Sequence, residues 1–306
     1  MLIAKAGCTP IDVTGNAVFV TGYGIILNLD FNYSSYFVFS ILNSAFGDFA
    51  LKQLNTFVRG GYVRIFSQYL EPIPIRSISF TTPTDRRQQA LQNAIALYDQ
   101  FQLDHDPDAL LAQVDCHLSQ QPEEADVIHD LLAHLAEQMI ELNKQKQAET
   151  KSFLQWFERF IGCAIDTLTN KSKVQNYLGD YYKKGADSAD TQNDTGAPHL
   201  SFNALIELLK KNKKKIKIDP VARKEQQTLE KEYQDSLNTL LPLKMQLMRC
   251  DRLIDAIVYR LYGLTEDEIA IVQGTRCANV EGKNGAIVEG KNGAIVEGTS
   301  GAIDGK

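Results

Sequence analysis

The longest amphipathic pattern in the chain occupies residues 223–264, RKEQQTLEKEYQDSLNTLLPLKMQLMRCDRLIDAIVYRLYGL. Apolar residues recur there every three or four positions, which predicts one long helix or two consecutive helices. We expect Leu253, Ile257 and Leu261 to face inward. Gly263 follows the last periodic residue and should end the helix as its C-terminal cap. The next segment, TEDEIAIV, predicts a short final helix.

Most of residues 84–274 has the same helical character. A helical pattern begins at Thr84 and continues to about Phe101. The segment at 122–149 places Val127, Leu131 and Leu135 on one face, with glutamate and glutamine on the other. Prolines at 107, 122, 220 and 242 should mark helix starts or breaks. We therefore expect a long, mostly α-helical region.

The first 83 residues differ, because they are rich in β-branched and aromatic side chains. Residues 17–29, AVFVTGYGIILNL, predict a strand, a turn and a second strand. Residues 34–55 predict a helix that Ser34 or Ser35 caps. A glycine pair then precedes a predicted strand at 62–66. The predicted fold class is therefore α+β, with a small mixed α/β unit at 1–83 and a helical region at 84–274.

The last residues, 275–306, contain an eight-residue repeat, VEGKNGAI twice and VEGTSGAI once. Three glycine-containing octapeptides cannot bury a substantial core of their own. We expect a flexible tail, with a short β-like roll as the alternative.

Charge is unevenly distributed along a chain whose net charge is −6. Residues 99–149 hold twelve acidic side chains and two basic ones, whereas residues 210–217, KKNKKKIK, hold six lysines and no acid. The acidic balance excludes a generally basic nucleic-acid-binding protein. Any surface that attracts nucleic acid must be local. The lysine run is either a solvated helix end or a site of nonspecific phosphate attraction.

Cysteine usage and hydropathy indicate a cytoplasmic protein with no membrane association. The five cysteines are scattered and include no CxxC pair, as expected for free thiols in a reducing compartment. No stretch approaches the roughly 20 apolar residues of a bilayer-spanning helix. The N-terminal segment has no basic flank followed by a long apolar run, so no secretory signal is predicted.

Motifs of common catalytic sites do not occur in the sequence. There is no GxGxxG, P-loop, HExxH or GxSxG motif, and no Pro-Pro dipeptide. His129 and His134 are five residues apart on a predicted helix, which is unsuitable for clamping a metal. Intrinsic catalysis is therefore not predicted, and neither is a metal site or a cofactor held by this chain.

One cluster has the composition of a DNA-reading surface. Guanidinium groups can bond guanine edges or phosphate oxygens, glutamine can pair with an adenine edge, and glycines permit close approach. The ordinary alternative is a surface hairpin with solvated charges. The candidate DNA-binding residues are Lys52, Arg59, Gly60, Gly61, Tyr62, Arg64, Gln68 and Tyr69.

The segment YFVFSILNSAFGDFALKQLNTFVRGGYVRIFSQYLEPIPI (36–75) resembles the TaqI-like C-terminal specificity domain. The matching motifs are LNS (42–44), RGGY (59–62) and QYLEPIPI (68–75). Far downstream, DRLIDAIVYRLYGLTEDEIAIVQG (251–274) is similar to the usual C-terminal end of enzymes that carry this domain. Those enzymes are adenine-specific N6 DNA methyltransferases and type IIG restriction–modification enzymes of the Eco57I kind. The likeness spans roughly residues 10–274.

The resemblance implies target recognition on double-stranded DNA. In such enzymes a domain that uses S-adenosylmethionine flips out an adenine and methylates N6 with an Asn/Asp-Pro-Pro-Tyr motif. That motif and the glycine-containing cofactor motif are missing here. The chain therefore looks like the recognition portion without the catalytic domain, and S-adenosylmethionine and Mg²⁺ would belong to the parent enzyme. A separate methyltransferase or endonuclease chain is a possible partner, and methylation with or without cleavage is left open.

Within this interpretation, Arg59, Tyr62 and Arg64 are the predicted DNA contacts. Lys52 and Tyr69 are expected to hold phosphate, and Gln68 to reach a base edge. The alternative is a helical interaction module that binds another subunit rather than DNA. It depends on the long apolar face of residues 223–262, which needs a partner if the chain does not bury it.

Overall fold

The computed structural model describes residues 2–4, 32–55, 57–58, 62–65, 67–179 and 198–278. Its helices are α1 (Ser35–Asn43), α2 (Ala45–Gln53), α3 (Ser67–Leu70), α4 (Thr84–Asp104), α5 (Asp108–Leu118), α6 (Ala125–Ile161), α7 (Lys171–Gln175), α8 (Phe202–Lys211), α9 (Arg223–Tyr262) and α10 (Glu266–Ala278). A 3-10 turn spans Ile165–Thr167. The strands are β1 (Leu2–Ala4), β2 (Phe57–Val58) and β3 (Tyr62–Ile65).

The predicted α+β class is wrong, because helices build the described fold. Its strands are only three, two and four residues long, and they pair as one small antiparallel ribbon in the order β1–β3–β2. Three such strands do not make a mixed α/β unit. Strand propensity is a weak guide here, since the aromatic and β-branched residues of 35–53 recur with the helical period. The predicted strands at 17–29 lie outside the described residues.

The helix predicted over 34–55 is divided in two at Ser44. Ser34 caps α1, as predicted, and its hydroxyl accepts a hydrogen bond from the Tyr36 N–H. Ser44 has an extended backbone, and its hydroxyl accepts a hydrogen bond from the Gly47 N–H as the N-cap of α2. The same hydroxyl donates to the Ile41 carbonyl at 2.7 Å. One serine therefore ends the first helix and starts the second.

Two long antiparallel helices, α6 and α9, form the axis of the molecule. They have 37 and 40 residues, about 55 and 60 Å at a rise of about 1.5 Å per residue. The start of α6 packs against the end of α9, where the Cys250 thiol donates to the Leu135 carbonyl. Pro242 lies inside α9 rather than breaking it. Gly263 ends α9 in the left-handed conformation, with φ of +65°, which confirms the predicted cap.

The first hydrophobic core surrounds one end of this helix pair. It joins α1, α4 and α5 to the first half of α6 and the last half of α9. Leu253, Ile257 and Leu261 are all buried in it, as predicted. Phe37 and Ile41 contribute from the N-terminal side. Residues on both sides of the expected 83/84 division therefore share this core.

The second hydrophobic core lies at the other end of the pair. It joins the end of α6 and the start of α9 to α7 and α8. Phe157, Leu209 and Leu240 are fully buried there. The octapeptide repeats at 280–303 fall entirely outside the described residues. In the described part of the chain, no helix combines the length and the apolar character that a membrane span requires.

Candidate nucleic-acid interface

The ribbon carries the central part of the predicted DNA-reading cluster. β2 and β3 pair antiparallel, with Val58 opposite Tyr62, and β1 pairs on the other side, with Ile3 opposite Arg64. The positions of Tyr62 and Arg64 are thus on the central strand. Arg59, Gly60 and Gly61, which connect β2 to β3 in the sequence, lie outside the described residues. The antiparallel pairing of the two strands brings both ends of this connection together.

Lys52 does not lie on a surface that could face DNA. Its side chain is 4% exposed, and its Nζ donates to Asp48 Oδ2 at 2.5 Å, one turn earlier on α2. The sequence prediction that Lys52 holds phosphate overlooked this buried ion pair. A charged group buried with its partner is costly to separate. Lys52 therefore belongs to the interior of the fold.

Gln68 and Tyr69 follow β3 on the single turn of α3. Gln68 is exposed and Tyr69 is half-buried, with an interaction of its own. Leu70, on the same turn, packs against the first core. The chain then reaches Pro72 and Pro74. The base-edge contact of Gln68 and the phosphate contact of Tyr69 stay predictions, and Tyr69 is the less accessible of the two.

The LNS segment is fixed by a residue that the sequence analysis did not single out. Asp255 on α9 accepts a hydrogen bond from the Ala45 N–H, with 2.7 Å between nitrogen and Oδ1. Ala45 is the first residue of α2, where backbone N–H groups have no partner inside the helix and favour a negative charge. α10 packs against α2 beside this bond, around Ala45, Tyr259 and Val272. The isolated serine in an otherwise apolar helical pattern was the available signal for a helix start.

The QYLEPIPI segment is fixed by the same end of α9. The Tyr262 hydroxyl donates to the Pro74 carbonyl at 2.7 Å and accepts from the Arg76 N–H at 3.0 Å. The ring of Tyr262 also packs against Phe46 of α2, with 4.2 Å between ring centres. The Arg76 guanidinium bonds both carboxylate oxygens of Glu123 at 2.6 and 2.7 Å. The last turn of α9 therefore contacts the segment that precedes the ribbon in the sequence and the segment that follows it.

A second basic surface lies at the far end of the molecule. The lysine loop, defined as residues 210–217, begins in the last turn of α8 and exposes all six of its lysines. Two of the lysines have acidic partners within the described chain, Lys210 with Glu207 and Lys213 with Asp219. These lysines lower the pKa of both carboxyls through direct hydrogen bonds. Lys215 bonds the Thr167 carbonyl and the Thr169 hydroxyl.

Two neighbouring ionisable groups with large pKa shifts, Cys250 and Tyr98, lie in the packed interior of the first core. Burial raises the pKa of the Cys250 thiol to about 12, and burial also raises the pKa of neighbouring Tyr98. Thiols with a raised pKa are poor nucleophiles. Among the described residues, no group of three or more His, Cys, Asp or Glu side chains could hold a metal ion. The described arrangement thus offers positioned basic and polar groups for binding.

The comparison with known families covers the helical axis and the second core. Residues 125–258 match a family model described as "Domain of unknown function (DUF8810)". The matched interval begins at the first residue of α6 and ends four residues before the last residue of α9. No curated protein and no solved structure matches the chain.

Proposed function

We propose that this chain is the DNA-recognition portion of an adenine-specific restriction–modification methyltransferase. Its ribbon would lie along a DNA duplex, and its helices would hold the ribbon in place. The proposal depends on the resemblance of residues 36–75 and 251–274 to the specificity domain and C-terminal end of such enzymes.

One observation carries the proposal: the two resembling segments, far apart in sequence, contact each other in the fold. Asp255 bonds Ala45, and Tyr262 bonds Pro74 and Arg76. A chance likeness of two short motifs gives no reason for them to meet. In a single recognition module the two motifs should be in contact, because the second motif holds the first in place. The contacts therefore support reading both motifs as parts of one unit.

In the proposed complex, the ribbon and its connection supply the DNA contacts. Arg59 and Arg64 are suited to guanine edges or phosphates, and Tyr62 to the backbone. Gly60 and Gly61 let the connection approach the duplex closely. Gln68 is exposed beside the ribbon and can reach a base edge or a sugar. Tyr69 would have a lesser, phosphate-side role.

The methyl transfer itself is assigned to a separate catalytic unit. The sequence contains no Pro-Pro dipeptide, which the adenine-methylating motif needs. S-adenosylmethionine and Mg²⁺ would therefore act on that unit, which is the expected protein partner. We also propose a cytoplasmic location, since Cys116, Cys163 and Cys250 are free thiols.

The alternative of a helical interaction module loses its main argument. It depended on an apolar face of residues 223–262 without a partner. Along α9, that face is buried against α6 and the helices beside it, with Leu240, Leu247 and Ile257 fully covered. The face therefore has its partner within the chain.

Fluorescence anisotropy with labelled mixed-sequence duplexes tests the proposal. We expect the full chain to bind DNA, and Arg59→Ala and Arg64→Ala each to weaken binding about tenfold, within the ~1–3 kcal/mol of a good arginine contact. Lys144→Ala removes one exposed positive charge in the middle of α6 and should leave affinity nearly unchanged. Equal binding by the Arg59, Arg64 and Lys144 variants, or no binding by the wild type, would contradict the proposal.

A further inference from the structure

We infer that the lysine loop is a second DNA contact, which binds phosphates of the duplex outside the recognised sequence. This inference rests on the proposed function and adds a site about which the recognition motifs say nothing. The loop is separate from the segments that flank the ribbon in the sequence, because Ile216 belongs to the second core whereas Leu70 and Ile75 pack on the first. Three arguments carry it: the charge of the loop, its rigid support and its position.

The loop presents positive charge that the protein does not neutralise. Lys211, Lys214 and Lys217 are exposed, and in the described part of the chain no acidic group lies within ion-pair distance of them. Lys215 is bonded to uncharged oxygens, so its charge also persists. The net charge of the chain is −6, but the lysine loop is a local region of positive charge. Such a patch attracts polyanions over about one Debye length, roughly 8–10 Å.

Neighbouring basic side chains extend the patch. Lys173 on α7 and Arg159 near the end of α6 are exposed on segments that contact or adjoin the loop. The nearby Asp166 is already paired with Lys171, whose hydrogen bond lowers the pKa of that carboxyl. Asp166, Glu207 and Asp219 near the loop each form an ion pair with one lysine, so the remaining lysines leave this surface positively charged.

A buried asparagine holds the loop in one conformation. Asn212 is 1% exposed, its Oδ1 accepts from the Thr169 N–H at 2.8 Å, and its amide donates to the Leu208 carbonyl at 2.8 Å. Ile216 is buried in the second core. The Lys217 N–H donates to the Ile161 carbonyl at 2.8 Å. The backbone is therefore anchored on the inside while the lysines face outward. Fixed charges lose less conformational entropy on binding than a floppy basic tail would.

The loop lies far along α9 from the segments that flank the ribbon in the sequence, as a contact outside the recognised sequence would require. The loop precedes the start of α9, whereas Asp255 and Tyr262 bond Ala45, Pro74 and Arg76 near its end. Thirty-two residues of helix separate Arg223 from Asp255, which is roughly 50 Å at ~1.5 Å per residue. That span corresponds to about 15 base pairs at ~3.4 Å each. DNA of this length is nearly straight, since its persistence length is about 150 base pairs.

The apolar side of α8 argues for a nucleic acid rather than a lipid surface. Membrane-binding helices need an exposed apolar face beside their basic residues. In α8 the apolar residues Leu205, Ile206, Leu208 and Leu209 are all buried. The loop thus offers charge without an apolar anchor, as nonspecific phosphate contacts require.

The test compares the variant Lys211→Gln/Lys214→Gln with the control Lys144→Gln/Lys151→Gln. The control removes two exposed lysines of α6, so the change in net charge is the same. Binding to 12- and 40-base-pair duplexes is measured at several salt concentrations. For the 40-base-pair duplex we expect the loop variant to reduce the slope of log K against log salt by about 2, since each phosphate contact contributes ~0.9. The 12-base-pair duplex and the control variant should show little change.

The outcomes separate this inference from the proposed function. If the loop variant matches its control on the long duplex while Arg59→Ala and Arg64→Ala weaken binding, the inference fails and the proposed function stands. If the loop variant loses affinity equally on both duplexes, the loop is an independent anion site and not a flanking contact. Loss on double-stranded RNA or on phosphatidylserine vesicles, with DNA binding unchanged, would also overturn it. If the wild type binds no duplex, both proposals fail.

Discussion

Asp255 accepts a hydrogen bond from the backbone N–H of Ala45, and this bond joins two residues that are 210 positions apart in the chain. The carboxylate lies at the first turn of α2, where free N–H groups and the helix dipole both favour negative charge. This bond connects the LNS turn to the long helix α9. The orientation of α2, and with it the start of the ribbon, therefore depends on a residue near the other end of the chain.

Replacing Asp255 by alanine should destabilise the protein. The Ala45 N–H would lose its acceptor in a partly buried place, which typically costs about 1–3 kcal/mol. Urea unfolding followed by circular dichroism measures the change. Asp255→Asn keeps an oxygen acceptor and should cost less. Asp235→Ala, at an exposed position of the same helix, serves as the control and should stay within ~0.5 kcal/mol of wild type. Equal stability of the Asp255 and Asp235 variants would argue against a structural role for this bond.

The hydroxyl of Tyr262 should be worth about 1–2 kcal/mol of unfolding free energy. Tyr262→Phe keeps the ring contact with Phe46 but leaves the Pro74 carbonyl and the Arg76 N–H without their partner. Thermal unfolding of this variant is compared with that of Tyr36→Phe, at a half-buried tyrosine on α1. We expect only the first to lower the melting temperature clearly. A melting temperature equal to wild type for Tyr262→Phe would show that the hydrogen bonds of this hydroxyl do not stabilise the fold.

Gly47 should not tolerate a side chain, whereas Gly274 should. A Cβ added at Gly47 would lie 2.2 Å from the Ile41 carbonyl oxygen and 2.9 Å from that of Leu42, both of which are backbone atoms. Gly47→Ala must therefore shift α1 against α2, at a cost of about 1–3 kcal/mol. At Gly274, an exposed position of α10, a Cβ meets no atom within 4 Å.

The matched variant Gly274→Ala should stabilise its helix by up to ~1 kcal/mol, because alanine favours helices more than glycine does. Denaturant unfolding of both variants gives the two changes. A loss of unfolding free energy for Gly47→Ala with a gain for Gly274→Ala would support close packing of α1 against α2 at the LNS turn. A neutral or stabilising Gly47→Ala would show that α1 and α2 can separate without cost.

His134 should make the protein less stable in mild acid. Burial lowers the pKa of its imidazole below the ordinary value of 6.5, although the nearby Glu137 and Asp99 partly oppose the shift. The unfolded chain then binds a proton at a higher pH than the folded protein does, so stability falls as pH decreases below about 6.5 through the lower folded pKa. Above that pH range the His134 imidazole is neutral in both the folded and the unfolded chain, so its ionisation does not change the free energy of unfolding with pH.

His134→Gln should flatten this part of the stability profile between about pH 7 and pH 5. His199→Gln, at an exposed histidine, should leave the dependence in place. Chemical denaturation at several pH values tests both variants. An identical pH profile for wild type and His134→Gln would contradict the expected role of burial.

Particular elements show where sequence patterns were sufficient. The α9 pattern predicted Leu253, Ile257 and Leu261 as buried, and Gly263 as the cap, because both follow from local periodicity and local backbone geometry. The cap at Ser34 is local as well. Pro242 misled the prediction of a break, since packing at both ends of α9 outweighs the cost of one proline in the middle.

The candidate site was less predictable. Lys52 looked like a phosphate ligand in the sequence, and only the position of Asp48 inside the fold shows it as a buried pair. Asp255, Tyr262 and Asn212 went unnoticed because their partners lie 210, 188 and 43 residues away. No periodicity or motif spacing encodes such pairings.

The amino-acid sequence by itself determined the helical character of residues 84–274, the cap at Ser34, the end of α9 at Gly263 and the inward face of α9. These features depend on interactions within a few residues, which repeat regularly along the chain. The tertiary structure alone decided that the class is all-helical and that α6 and α9 connect two cores. It also decided that the turn between α1 and α2 meets the end of α9. Each of these depends on which surfaces bury one another, and burial energy is gained only between partners that the folded chain brings together.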